Sequence, residues 1–213
     1  MSKVRVLLAD DHKMVAEGLR ALLEPEYELV GIVEDGHELI EKTEQLKPDV
    51  IVADITMPSL NGIDAVEQLK KSGSEAKVIF LTMHHDAMYA NRGFEAGASG
   101  FLLKHSAPDE LLTAIREVLK GRTYVTPMIA EELIQTYKDG DDVKKDPVRK
   151  LTPRQREVLQ LLAEGLSAKE VAKSLHISSR TVEFHKYQIM EELGLQTSAE
   201  LVQFAIKHGI ISI

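Results

Sequence analysis

The chain has 213 residues, of which 44% are hydrophobic and 28% are charged. This balance favours one or two packed domains and excludes a chain that is disordered throughout. Cysteine is absent, which excludes disulfides, thiolate zinc sites and cysteine nucleophiles. No apolar run approaches the roughly 18 residues of a membrane-spanning helix, and the apolar stretch before Asp10 is too short for a signal peptide. We therefore expect a cytoplasmic protein without a membrane partner.

The charge is unevenly distributed along the chain. The formal net charge is −8, yet residues 150–213 carry eight basic and seven acidic residues. An acidic first part and a nearly neutral last part predict two modules with different partners.

Residues 1–121 alternate between two apolar patterns. Five short runs rich in Val, Ile, Leu and Phe predict strands buried on both faces, namely Val4–Ala9, Glu28–Val33, Val50–Ala53, Val78–Leu81 and Gly100–Leu103. Stretches with apolar residues at helical spacing separate these runs, and such strand–helix repeats predict a parallel sheet with helices on both faces. We expect an α/β domain with a doubly wound, flavodoxin-like five-stranded parallel sheet of strand order 2-1-3-4-5.

Residues 122–149 are predicted to be a linker that contains one short helix over about 127–137. The stretch 139–149 is polar, contains Gly140 and Pro147, and offers nothing apolar enough to pack. From Leu151 onward the pattern is helical. Residues 150–213 are therefore predicted to form a second, small all-α domain of four helices, which begin near Pro153, Ser167, Ser178 and either Thr197 or Ser198.

Polar side chains stand where the predicted strands of the first domain end. They are Asp10 and Asp11 after strand 1, Asp54 after strand 3, Thr82 after strand 4 and Lys104 after strand 5. Since the carboxyl ends of parallel strands share one edge of a sheet, we expect these side chains to converge at the topological switch point. Taken singly, each residue is also compatible with a helix cap or a turn.

The chemistry of this group points to phosphoryl transfer. Three carboxylates so close together repel one another unless a cation lies between them, and oxygen ligands with open positions favour Mg²⁺. Asp54 is the natural nucleophile because a carboxylate can form an aspartyl phosphate. Lys104 and Thr82 would then hold the phosphoryl oxygens.

Further residues strengthen this interpretation. Together with Met57-Pro58, Gly62, Leu81-Thr82 and Gly100–Lys104, the strand-end residues resemble the receiver domain of bacterial two-component response regulators. The resemblance covers the first domain. It implies that Asp54 accepts a phosphoryl group from a sensor histidine kinase and that Thr82 and Lys104 bind this group.

The same resemblance implies a Mg²⁺ site formed by Asp10, Asp11, Asp54 and the backbone carbonyl of Thr56. Phe101 matches the switch aromatic of the family, which turns inward when Thr82 moves toward the phosphate. The alternative is that Phe101 is an ordinary core residue of strand 5.

Two histidines lie close to the strand-end residues in the sequence. His84 follows Thr82 by two residues, at a position that in this family can tune hydrolysis of the phosphate, and His105 follows Lys104. The remaining histidines lack a carboxylate or histidine partner at ligand spacing, so we expect no zinc site.

Residues 171–193 have the pattern of a helix-turn-helix. On the helix Ser179–Leu193, one side carries Val182, Ile189 and Leu193, which must face the core. We expect Lys169, Arg180, His185 and Lys186 to reach DNA phosphates and Glu183, Phe184 and Tyr187 to reach base edges. Because Glu183, Glu191 and Glu192 repel DNA, periodicity alone leaves open a protein-interaction module.

The motifs Leu151–Leu166, Lys169–Ala172 and Ser179–His185 closely resemble the LuxR-type helix-turn-helix. Its pairing with a receiver is typical of the NarL/FixJ class of response regulators. The resemblance implies a phosphorylation-dependent, sequence-specific transcription regulator that is not an enzyme beyond self-catalysed phosphotransfer and autodephosphorylation. Its implied partners are a sensor histidine kinase, double-stranded DNA, a second copy of the chain when phosphorylated, and RNA polymerase.

Two alternatives belong to other functional classes. One is a Mg²⁺-dependent phosphohydrolase that uses Asp54 as its nucleophile, although Thr56 stands where such an enzyme would need a general acid. The other is a phosphorylation-regulated module that acts only through protein contacts.

Overall fold

The computed structural model describes residues 3–83, 87–105, 108–138 and 146–211. The chain divides into two compact units, the first formed by residues 1–57 and 61–143 and the second by residues 58–60 and 144–213. Within the described ranges, no helix is both long and apolar enough to cross a membrane.

Strands and helices alternate along the first unit. Their order is β1 (Arg5–Ala9), α1 (Lys13–Leu23), β2 (Glu28–Val33), α2 (Gly36–Leu46), β3 (Val50–Asp54), α3 (Gly62–Lys71), β4 (Lys77–Thr82), α4 (Ala87–Glu95), β5 (Gly100–Leu103), α5 (Pro108–Leu119), β6 (Tyr124–Val125) and α6 (Pro127–Lys138).

The strands form one parallel sheet of order β2-β1-β3-β4-β5-β6. The predicted doubly wound fold and the order of the first five strands are confirmed, but the predicted count of five is wrong. The sixth strand pairs Tyr124 with Gly100 and Val125 with Phe101. Two residues are too few to produce a periodic pattern, and the chain reaches this position through a turn at Gly121, whose φ is +79°.

Both faces of the sheet are covered by helices. On one face, alternate strand residues such as Val6, Val52 and Leu81 pack against α1 and α5. The intervening residues point the other way and are also fully buried, as Ile51 and Phe80 show. Because β3 lies in the middle of the sheet, all five of its residues are buried.

The second unit consists of short helices. They are a 3₁₀ helix (Pro147–Lys150), α7 (Pro153–Ala163), α8 (Ala168–Ser174), α9 (Ser179–Leu193) and α10 (Ser198–Lys207). The side chains of Thr152, Ser167, Ser178 and Thr197 cap the N-terminal ends of α7 to α10. Each supplies an acceptor to a backbone N–H group that has no partner inside the helix.

The prediction of an unpacked linker up to residue 149 is wrong at its end. Val148 is only 2% exposed and belongs to the core of the second unit. The side chain of Asp146 accepts a hydrogen bond of 3.0 Å from the Val148 backbone N–H, which starts the 3₁₀ helix. Two isolated valines in a polar stretch give no periodic signal, so composition alone misplaced this boundary.

Candidate functional site

The parallel sheet brings distant polar residues to one edge. Asp10 directly follows β1, Asp54 and Thr82 are the last residues of β3 and β4, and Lys104 directly follows β5. Lys104 Nζ lies 2.8 Å from Asp10 Oδ2 and 2.7 Å from Asp54 Oδ2. We call the group Asp10, Asp11, Asp54, Thr82 and Lys104 the strand-end pocket.

Asp11 completes the acidic part of this pocket. One carboxylate oxygen from each of Asp10, Asp11 and Asp54 lies within 4.8 Å of the others and of a ring nitrogen of His12. Asp10 and Asp54 are buried, whereas Asp11 is partly open to solvent. Such a set of oxygen atoms can hold a divalent cation.

His12 is a member of this cluster that sequence reasoning missed. Its Nδ1 lies 2.8 Å from Asp11 Oδ1 and 3.5 Å from Asp10 Oδ1. The prediction that the remaining histidines have no carboxylate partner is therefore wrong for His12. The available signal was its position immediately after Asp10-Asp11, at the start of α1.

Burial and charge act against each other in the pocket. Burial raises the pKa of the Asp54 carboxyl above its usual value, and the nearby Lys104 ammonium only partly offsets this effect. Burial would lower the pKa of Lys104, but the carboxylates of Asp54 and Asp10 outweigh it and raise that pKa. The ammonium therefore stays charged, and the buried carboxylates remain open to a further cation.

Local backbone geometry fixes the position of Asp54. Its Oδ1 accepts hydrogen bonds from the backbone N–H groups of Ile55 at 2.7 Å and Thr56 at 3.4 Å. The chain then returns so closely that a Cβ added at Gly62 would lie 2.0 Å from the Asp54 carbonyl oxygen. Only glycine fits there without displacing the strand end.

Thr82 and Phe101 occupy neighbouring strands beside the pocket. Thr82 is 1% exposed, and its carbonyl accepts a 2.7 Å hydrogen bond from the Lys104 backbone N–H. The Phe101 ring is fully buried and packs edge-on against Phe80 at 6.3 Å between centroids. The Phe101 carbonyl also accepts a hydrogen bond of 3.1 Å from the Thr126 N–H, just after β6.

Two further histidines follow the strand-end residues Thr82 and Lys104 in the sequence. His105 is exposed immediately after Lys104. His84 lies outside the described residues.

In the second unit, α9 has two distinct sides. Val182 and Ile189 are buried, and Leu193 is partly buried, as the helical period predicts. The opposite side carries four exposed residues that we call the α9 face: Arg180, Glu183, Phe184 and Tyr187. Phe184 is 56% exposed and Tyr187 is 68% exposed, and large aromatic side chains left in solvent favour a binding surface.

The remaining residues predicted to contact DNA differ in their exposure to solvent. Lys169 is exposed on α8, and Lys186 is partly buried on α9. His185 is also partly buried, and its Nδ1 is enclosed without a hydrogen-bond partner in the described part of the chain. A contact from His185 to DNA would therefore have to use Nε2.

Comparison with known proteins identifies both units. Residues 6–116 match the family model for the response regulator receiver domain, and residues 149–205 match the model for bacterial regulatory proteins of the luxR family. The chain is 37% identical over 213 residues to the transcriptional regulatory protein MctR of Rhizobium johnstonii. This match covers 99% of this chain and 96% of MctR. It is 36% identical over 215 residues to the oxygen regulatory protein NreC of Staphylococcus haemolyticus, with coverage of 98% and 99%.

A solved structure extends the likeness. It contains RcsB from Salmonella enterica serovar Typhimurium, bound to a promoter in the presence of the phosphomimetic BeF3−. Its TM-score is 0.60 at 29% identity, and the match covers 95% of this chain and 98% of that chain.

The fold and these matches define a receiver domain followed by a LuxR-type helix-turn-helix domain. The chain belongs to the response regulator family, in the NarL/FixJ class of DNA-binding transcription regulators. The predicted family and the predicted class of function are therefore confirmed.

Proposed function

We propose that this regulator is switched by phosphorylation of Asp54, which receives the phosphoryl group from a sensor histidine kinase in the cytoplasm. The observation that carries the proposal is the placement of Lys104 Nζ within 2.8 Å of both Asp10 and Asp54 at the end of the sheet. A buried cation next to a buried carboxylate is the arrangement needed to receive an anionic phosphoryl group.

The residues of the pocket have separate tasks in this reaction. A carboxylate oxygen of Asp54 forms the new P–O bond while the P–N bond to the kinase histidine breaks. Lys104 and the Thr82 hydroxyl bind the phosphoryl oxygens and so stabilise the negative charge on these oxygens during the transfer. The buried position of Asp54 limits the access of water to the acyl phosphate.

The pocket also suits Mg²⁺. Asp10, Asp11 and Asp54 present oxygen atoms within 4.8 Å of one another, and we propose the backbone carbonyl of Thr56 as a further ligand. A bound Mg²⁺ would neutralise part of the phosphoryl charge. Burial raises the pKa of the Asp54 carboxyl, and a bound cation would favour its ionised, nucleophilic form.

Phosphorylation is proposed to change DNA binding through Phe101 and the chain that follows. Movement of Thr82 toward a phosphate would leave space for the Phe101 ring on the neighbouring strand. Since β6 pairs with β5 at Phe101, the segment leading out of the domain is bonded to the switch residue. We propose that this change promotes a homodimer that presents two α9 helices to double-stranded DNA and engages RNA polymerase. The promoter complex of RcsB with a phosphomimetic supports this proposal.

The proposal is tested by labelling the full-length protein with radioactive acetyl phosphate. We expect a label that depends on Mg²⁺, is lost with excess EDTA and is absent from Asp54→Asn. Asp109→Asn is the matched control, since Asp109 is an exposed aspartate on α5 outside the pocket. Unchanged labelling of Asp54→Asn, or full labelling in EDTA, would contradict the proposed site.

A second measurement tests the consequence of labelling. Phosphorylated wild-type protein should elute as a dimer and bind its DNA site more tightly than the unphosphorylated protein. Asp54→Asn should show neither change. Equal DNA affinity before and after complete phosphorylation would contradict the proposed switch.

A further inference from the structure

His12 stands in an unusual position at the start of α1. It is the N-cap residue of this helix, with φ −90° and ψ 95°, yet its side chain makes no capping hydrogen bond. The ring is directed instead at the carboxylates, with Nδ1 2.8 Å from Asp11 Oδ1 and 3.5 Å from Asp10 Oδ1. Its backbone N–H donates to Asp10 Oδ1 at 2.9 Å, which holds the residue beside the pocket.

These distances resemble those between ligands that share one metal ion. Two adjacent ligands of an octahedral ion, each about 2.1 Å from the metal, are about 3 Å apart. Nδ1 of His12 and Oδ1 of Asp11 form a hydrogen bond of 2.8 Å, a distance that also meets this spacing. One ligand atom of Asp54 lies within 4.8 Å of both. The imidazole ring can reorient toward a bound ion, because the His12 side chain is 61% exposed to solvent.

A second feature of the pocket points to a cation. The Asp10 side chain is only 1% exposed, so its carboxylate is cut off from solvent. Its electrostatic partner is Lys104 Nζ, which is shared with Asp54. A buried carboxylate oxygen of this kind favours an additional positive charge nearby.

We infer that His12 supplies a nitrogen ligand to the divalent cation of the strand-end pocket, which makes the site selective for cations that accept imidazole. This inference rests on the proposed cation site and adds its chemical preference. Imidazole is a good ligand for Zn²⁺ and Ni²⁺, and affinity at sites with nitrogen ligands rises from Mn²⁺ through Co²⁺ to Ni²⁺. Mg²⁺ prefers oxygen and retains several waters, so it gains little from the ring.

The direct test is pulsed electron paramagnetic resonance of the full-length protein loaded with Mn²⁺. We expect a ¹⁴N coupling of the size given by a directly bound imidazole. It should vanish in His12→Ser, which keeps a residue that caps helices well. His37→Gln is the control, since His37 is exposed at the start of α2 and lies outside the cluster. Bound Mn²⁺ without a nitrogen coupling in the wild-type protein would overturn the inference.

Calorimetric titration supplies an independent readout. We expect His12→Ser to weaken Mn²⁺ binding by about tenfold or more and to leave Mg²⁺ affinity nearly unchanged. His12→Asn, a second favourable cap, should behave in the same way. Equal loss of Mn²⁺ and Mg²⁺ affinity would overturn the proposed selectivity.

The two proposals fail in different ways. If His12 is no ligand, the nitrogen coupling is absent while Mg²⁺-dependent labelling of Asp54 persists. If the proposed function is wrong, wild-type protein is not labelled on Asp54 even with Mg²⁺ present. A nitrogen coupling that is present in the wild-type protein and lost in His12→Ser, together with Mg²⁺-dependent labelling of Asp54 in the wild-type protein, supports both.

Discussion

The strand-end pocket and the α9 face are assembled in different ways. The pocket collects side chains from four strands that span positions 10 to 104, and its central ammonium contacts two carboxylates at once. The four side chains of the α9 face all belong to one continuous helix and are exposed to solvent. Groups that share buried partners are energetically coupled, whereas separated exposed groups contribute almost independently. Substitutions in the pocket should therefore be non-additive, and those on the α9 face should be nearly additive.

Removing the shared ammonium should produce the largest effect. Lys104→Met leaves the Asp10 and Asp54 carboxylates without their buried partner, and we expect the free energy of unfolding near pH 7 to fall by about 3 kcal/mol. Urea denaturation measures this loss. Adding Asp54→Asn to Lys104→Met should restore part of the stability, and strictly additive losses would show that the pocket is not coupled.

The pH dependence of this variant follows from the same charges. Without Lys104, burial raises the pKa of the Asp54 carboxyl further above its unfolded value, and the folded state then binds this proton more tightly. The resulting stability is present at low pH and is lost as the pH rises through the folded pKa of Asp54. The loss in free energy of unfolding caused by Lys104→Met should therefore become smaller as the pH is lowered. Lys71→Met, which removes an exposed pair with Glu67, should show no such trend.

Gly62→Ala tests how strictly the chain holds Asp54. Its added Cβ would lie 2.0 Å from the Asp54 carbonyl oxygen, so the end of β3 must shift, and we expect a loss of about 2 kcal/mol in stability with weaker phosphorylation. Gly18→Ala is the matched control, since nothing lies within 4 Å of a Cβ added there and alanine is the better helix residue. Wild-type stability and labelling in Gly62→Ala would mean that the strand end is not held this tightly.

The sequence predicted the part of the pocket that topology determines. Five strands with their end residues required Asp10, Asp54 and Lys104 to meet, because parallel strands place their carboxyl ends on one edge. The sequence pattern did not predict features that depend on a single local contact. Neither β6 nor the burial of Val148 has a periodic pattern, and the direction of the His12 ring depends on a rotamer that spacing does not specify.

Two basic residues of α9, Arg180 on the α9 face and the partly buried Lys186 beside it, should act additively through the DNA phosphates. Arg180→Ala and Lys186→Ala should each weaken DNA binding, and together they should reduce the slope of log affinity against log salt by about two. Fluorescence anisotropy over a range of salt concentrations measures the slope. Lys207→Ala, at the end of α10, is a control outside this helix. An unchanged slope in the double variant would place the DNA on another surface.

The smallest effect concerns the aromatic part of the α9 face. Phe184 is exposed beside Glu183, and an apolar side chain in the major groove recognises thymine by its C5 methyl group. On a site selected from random DNA, replacing the contacted thymine by uracil should weaken wild-type binding by about 1 kcal/mol, while Watson–Crick pairing and the phosphates stay unchanged.

The methyl effect should depend on Phe184 alone. Phe184→Ala should bind the thymine and uracil sites equally, whereas Tyr187→Phe should still discriminate between them because it leaves the Phe184 ring in place. If wild-type protein bound both sites equally at every thymine position, Phe184 would have no role in base recognition. Arg180→Ala could also abolish the discrimination between thymine and uracil as completely as Phe184→Ala. That result would show that the side chains of the α9 face are energetically coupled, as those of the pocket are. The contrast between a shared buried charge and independent exposed contacts would then no longer hold.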